Sequence, residues 1–109
     1  MDNRAPIFTN TYTLCQWLLE HFDDHTGVLA ATLCRNALQL LEAVALALKG
    51  RQRAERLEEA DERLITLRLQ LRLAEATGLL DEGQCLFALS EADRIGRQLG
   101  GWQRAQHPA

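Results

Sequence analysis

The sequence predicts an all-α fold, an antiparallel up-down-up-down four-helix bundle formed by one domain over residues 1–109. Composition is the first reason. The apolar fraction is 47%, led by Leu and Ala, while aromatics are 6% and Pro occurs twice. That mixture favours helices and is poor in the β-branched residues of strands. Spacing is the second reason: apolar residues recur at steps of three and four along four stretches. Short breaks near Gly27, Gly50 and Gly78 supply the third. Connections that short make successive helices antiparallel neighbours.

The first eight or so residues, through Pro6, read as an unstructured lead-in, and helix one is expected over residues 10–24. Leu14, Trp17, Leu18, His21 and Phe22 share one side of it. Asp24 to Gly27 forms a break in which Thr26 is positioned to cap the next helix. Helix two, residues 27–49, is the most apolar part of the chain, with Thr32, Arg35, Asn36, Gln39 and Glu42 gathered into a narrow polar stripe. A helix apolar around most of its circumference needs cover on more than one side, which points to self-association.

Lys49-Gly50-Arg51 closes helix two with cations and a glycine. Helix three, residues 52–77, carries the seam Leu57, Ala60, Leu64, Leu67, Leu71 and Ala74, with Ile65, Leu69 and Leu73 as a second apolar flank. At 1.5 Å per residue it is roughly 39 Å long. Gly78 stops it, and Asp81 with Gln84 forms a capping-box pattern for helix four, residues 82–102. That helix carries Leu86, Leu89, Ile95 and Leu99, and a ladder of small residues, Ala88, Ala92, Gly96 and Gly100, suited to close packing within the chain. The tail from Gln103 is expected to fray.

Cys15, Cys34 and Cys85 are odd in number and lack CxxC spacing, so they read as core thiols in a reducing compartment. No nearly apolar run is longer than Ala43 to Leu48, and the N-terminus lacks a signal-peptide layout, so a cytoplasmic protein without a membrane span is expected. No glycine-rich phosphate loop follows a strand. His21 and His25 stand one helical turn apart beside Asp24, a spacing able to seat a metal, yet no Glu-x-x-His completes a site. Ser90, the only serine, has no histidine placed to activate it. The expectation is a protein with no enzymatic activity, no metal and no cofactor.

Charge placement is more informative than the net charge of −3. In such a bundle Arg4, Lys49, Arg51, Arg53, Arg56, Arg97 and Arg104 gather at one pole, and Glu20, Asp23, Asp24, Glu75, Asp81 and Glu82 at the other. Part of this pattern complements helix dipoles. A basic pole is also where a nucleic-acid backbone docks.

Two stretches carry a family resemblance. Leu64 to Leu80, LITLRLQLRLAEATGLL, resembles the third helix of the accessory variability determinant family of diversity-generating retroelements, and Asp93 to Arg104, DRIGRQLGGWQR, is similar to its closing helix. With the order and lengths of the helices, the resemblance covers roughly residues 10–104. The wider family includes four-helix proteins encoded in intervening sequences of ribosomal RNA genes. The resemblance implies a bundle assembled into a barrel-like homopentamer that partners a reverse transcriptase and its template RNA, supporting mutagenic cDNA synthesis while the transcriptase catalyses. The alternative is an oligomeric interaction module of the intervening-sequence type with no transcriptase partner. Arg68 and Arg72 fall in the matched third helix, and Arg94, Arg97 and Arg104 in the matched closing helix. With Lys49, Arg51, Arg53 and Arg56 they are the candidate contacts to RNA or protein. Gly96, Gly100 and Trp102 match as packing residues. The family tends to be basic, whereas this chain is net acidic.

Overall fold

Pro6 opens the first helix, as proline does at a first helical position, where its missing N–H costs nothing and its φ is preset. The computed structural model describes residues 5–106 and comprises α1 (Pro6–His21), α2 (Val28–Leu48), α3 (Arg53–Ala76) and α4 (Glu82–Gln106), with no strand among the described residues. Helix α1 starts four residues before the expected Asn10 because Ile7 and Thr11 extend the buried row of Leu14, Cys15 and Leu18. It ends at His21, so Asp23 and Asp24 lie in the following turn. Helix α4 continues past the expected Trp102 to Gln106.

The helix ends follow local chemistry. Gly50 (φ 77°) and Gly78 (φ 83°) adopt the left-handed conformation that ends α2 and α3. Arg51 N donates to Leu46 O and Gly50 N to Ala47 O, and the same pair recurs as Leu79 N to Ala74 O and Gly78 N to Glu75 O. These are Schellman closures, which satisfy carbonyls a helix end would otherwise leave free. At α4 the capping box forms: Gln84 N donates to Asp81 Oδ1 at 2.7 Å, and Asp81 N to Gln84 Oε1 at 2.9 Å. Thr26 does not cap α2; Gly27 holds that position and supplies no side-chain acceptor.

Each helix packs against two others: α1 against α2 and α4, α3 against α2 and α4. The molecule measures 44 × 24 × 22 Å, longer along the helices than across them. All six seam residues of α3 are at most 1% exposed, and Leu18, Leu33, Val44, Ala88, Ala92 and Ile95 join them at 0%. Leu86, expected on the core side of α4, faces outward, and Cys85 takes the buried position beside it. Helix α2 also corrects an expectation. Its 21 residues, interrupted by Arg35 and Glu42, are long and apolar enough to cross a membrane by length and composition. Leu33, Leu40, Val44 and Ala47 of this helix are buried among its neighbours, whereas Val28 and Leu38 are exposed. Asn36 leaves the solvent stripe assigned to it: it is 4% exposed and donates to Arg63 O (3.0 Å) and Gln70 Oε1 (3.1 Å) on α3.

Candidate nucleic-acid and partner interface

The α2–α3 turn, residues 49–52, gathers four of the predicted contact residues within eight positions: Lys49, Arg51, Arg53 and Arg56. Gln52 sits there with φ 49° and ψ 52°, a left-handed conformation rare for a residue with a Cβ. It places no side-chain cap on α3, so the N–H groups of the first turn lack a side-chain acceptor. An open groove of about 540 Å³ is lined by Leu46, Gly50, Arg51, Gln52 and Arg56. Uncapped amides, the positive end of the α3 dipole and Arg51 favour an anion here, while Glu55 in the first turn of α3 and the Arg56–Glu59 pair offset part of that charge.

The arginines around it are not equivalent. Lys49 and Arg51 are exposed. Arg53 is committed internally: Nε donates to Ala47 O at 2.9 Å, and its guanidinium lies 5.7 Å from the Trp102 ring centroid. It thereby ties the ends of α2 and α4 to the start of α3. Arg56 pairs with Glu59 at 3.3 Å, while its Nε is buried without a partner. Gln103 Nε2 donates to Leu57 O, which brings the end of α4, and with it exposed Arg104, toward this same end of the molecule. Arg4 lies outside the described residues.

The other candidates sit elsewhere. Arg68, twelve residues beyond Arg56 and so about 18 Å further along α3, pairs with Asp93 (3.1 Å) and donates from Nη2 to Ala92 O (3.5 Å). Gly96 leaves the space for it; a Cβ there would stand 2.5 Å from Arg68 Nη2. Arg68 therefore pins α3 to α4 more than it offers a free charge. Arg94 pairs with Glu91 at 3.6 Å, and Arg72 and Arg97 are exposed on the α3 and α4 surfaces. The nine candidates thus divide into a basic end (Lys49, Arg51, Arg53, Arg56, Arg104) and a scattered lateral set (Arg68, Arg72, Arg94, Arg97).

At the end of α1, His21 Nε2 lies 3.2 Å from Leu79 O, so Asp23 and Asp24 approach the turn that holds Asp81 and Glu82. His21 stacks on Trp17 and on His25, with centroids 5.3 and 5.9 Å apart. Among the described residues no three His, Cys, Asp or Glu side chains converge as a metal site. The cysteines are free; burial pushes the Cys15 thiol up to about 11, with nearby Cys34 adding to the shift, and raises Cys34 as well. Burial, then the neighbouring Glu75 carboxylate, raises Cys85.

Compared with known proteins, the chain matches no family model, no curated protein and no solved structure.

An apolar groove of about 370 Å³ lies between α1 and α2, lined in part by Tyr12, Leu19, Leu38 and Leu41. Tyr12 is 52% exposed, Leu19 39% and Leu38 40%. Spacing along α2 signalled surplus apolar surface without showing which side of the helix would carry it.

Proposed function

We propose that this chain is a non-catalytic accessory protein of a diversity-generating retroelement, acting in the cytoplasm as a homopentamer that binds the reverse transcriptase and template RNA and supports mutagenic cDNA synthesis. The observation that carries the binding role is the open groove at the α2–α3 turn, with Arg51 and Arg56 beside the uncapped start of α3. A phosphate backbone meets there both side-chain cations and a helix dipole. The antiparallel up-down-up-down arrangement belongs to the same reading. It is supported by Asn10 bonding Gln98 while Trp17 meets Phe87, and by Leu57 bonding Gln103 while Arg68 meets Asp93 and Leu71 meets Cys85. Self-association is assigned to the α1–α2 face, where Tyr12, Leu19 and Leu38 line an open apolar groove.

The test uses a labelled single-stranded segment of a diversity-generating retroelement template RNA and the reverse transcriptase of such an element. Replacing Arg51 and Arg104, which are exposed, by Glu should weaken RNA binding and lower the salt slope of log K by about 1.4, as expected for two lost phosphate contacts to single-stranded RNA. Circular dichroism should show the helices intact. Unchanged RNA affinity removes the basic end as an RNA site. A chain that binds neither the RNA nor the transcriptase, and whose gene lies within a ribosomal RNA gene, belongs to the intervening-sequence reading instead.

A further inference from the structure

Helix α3 presents two unrelieved surfaces end to end on its outer side. Ile65, Leu69 and Leu73 are 58%, 67% and 50% exposed. Steps of four stack them into one ridge about 12 Å long, and no other helix among the described residues covers it. Toward the N-terminus the same side carries Glu55, Glu58 and Glu62, which with Glu59 line a shallow groove of about 240 Å³. Glu59 pairs with Arg56 and Arg63, whereas Glu55, Glu58 and Glu62 pair with no cation among the described residues. Like charges at steps of three and four repel by about 0.2–0.5 kcal/mol per pair. The free protein therefore holds an uncompensated acidic row in line with an exposed apolar row, together about 27 Å long.

We propose that the outer face of α3 is a docking surface for an amphipathic helix of a partner protein, one half of which presents Leu-type side chains at helical steps and the other half Arg or Lys. The charge pattern selects this occupant. A second copy docking α3 on α3 would set glutamates against glutamates if parallel, or bury them against leucines if antiparallel, and both arrangements are penalised. A nucleic-acid backbone or an anionic lipid surface is repelled by the same acids. A basic amphipathic helix satisfies both halves at once, its apolar row covering the ridge and its cations neutralising the acids. The assignment requires neither RNA binding nor the retroelement reading; its acidic half adjoins the basic groove through the Arg56–Glu59 pair, and its apolar ridge lies further along α3.

The experiment uses the full chain and two labelled synthetic peptides of about five helical turns. Both carry the same row of leucines in one half; the other half carries arginines in one peptide and glutamates in its counterpart. Fluorescence anisotropy at low salt should show the arginine peptide binding at least about tenfold more tightly than the glutamate peptide. Leu69→Glu should weaken the arginine peptide by about tenfold or more, and Glu58→Lys with Glu62→Lys should weaken it and remove its salt dependence. These side chains are exposed, so circular dichroism should be unchanged for every variant. Equal affinity for the two peptides, no binding of either, or variants that bind like the native chain each overturn the proposal. So does a drop in solution mass on Leu69→Glu, which would mean that a second copy covers the ridge. RNA binding measured on Leu69→Glu, whose side chain lies about 20 Å along α3 from Arg56, stays unchanged, which separates the ridge from the basic end.

Discussion

Leu71 has no exposed surface and lies at the centre of the α3 seam, while its carbonyl accepts the Cys85 thiol at 3.5 Å. Leu71→Ala should therefore destabilise the protein by about 2–5 kcal/mol in denaturant unfolding, the range for a buried leucine whose cavity cannot fully collapse. A loss below about 0.5 kcal/mol would place it outside the core. Cys15 gives a pH dependence. Its thiol titrates near 9.0 when free of the fold and near 11 within it, because burial disfavours the thiolate. The folded state thus holds this proton more tightly than the unfolded state. The associated stability is complete below pH 9 and is lost as pH rises toward 11. Melting temperatures should fall across that window, and Cys15→Ala should fall less than the native chain. The α3 seam was legible because six residues obey one period without exception. Asn36 was not, since spacing alone places it beside Arg35 and Gln39 in a polar stripe. Only the approach of α3, with Arg63 O and Gln70 in reach, makes it a buried cross-helix donor.

At the scale of elements, the α3–α4 contact turns on a glycine and an arginine that sequence assigned to separate roles. The Gly96 position admits the Arg68 guanidinium, which then reaches Asp93 and Ala92 O. Gly96→Ala gains roughly 1 kcal/mol of helix propensity, yet it pushes into Arg68 Nη2 and meets Leu64 Cδ2 at 3.3 Å. In the native background these effects oppose, and the net change should be small. In an Arg68→Ala background only the Leu64 Cδ2 contact at 3.3 Å remains, and Gly96→Ala should be more favourable than in the native background, by up to about 0.5–1 kcal/mol. Additive effects in that double-mutant cycle would show that Arg68 does not occupy the glycine notch. The small-residue ladder read from sequence was right about packing within the chain, since Ala88 and Ala92 are buried and Gly96 meets α3. It could not reveal that a charged side chain fills the notch, because spacing carries no information about a residue on another helix. Helix ends were legible where a specific motif marked them, at Gly50, Gly78 and the Asp81–Gln84 box. They were misjudged at α1, where a weak lead-in hid the proline start at Pro6.

Across the whole molecule, charge and apolar surface are segregated, and each face has a separate consequence. Lys49, Arg51 and Arg104 mark one end, Asp81 and Glu82 the opposite turn, so a net charge of −3 coexists with a locally cationic surface. Apolar exposure is spread over the α3 ridge, the α1–α2 groove, and Leu86 and Phe87 on α4, and the α1–α2 groove provides a concave site for a neighbouring copy. Leu38 lies in that groove at 40% exposure, so a glutamate there keeps access to water in the isolated chain but is desolvated when a neighbour docks. Light scattering of the native protein should give five times the 12.3 kDa of one chain. Leu38→Glu should shift that mass toward a single chain with the helical signal intact, whereas Leu69→Glu should leave it unchanged. A native protein that runs as one chain at every concentration would dismiss the pentamer. An assembly indifferent to Leu38→Glu would move its interface off the α1–α2 face, leaving exposed Leu86 and Phe87 on α4 as the surface to substitute next.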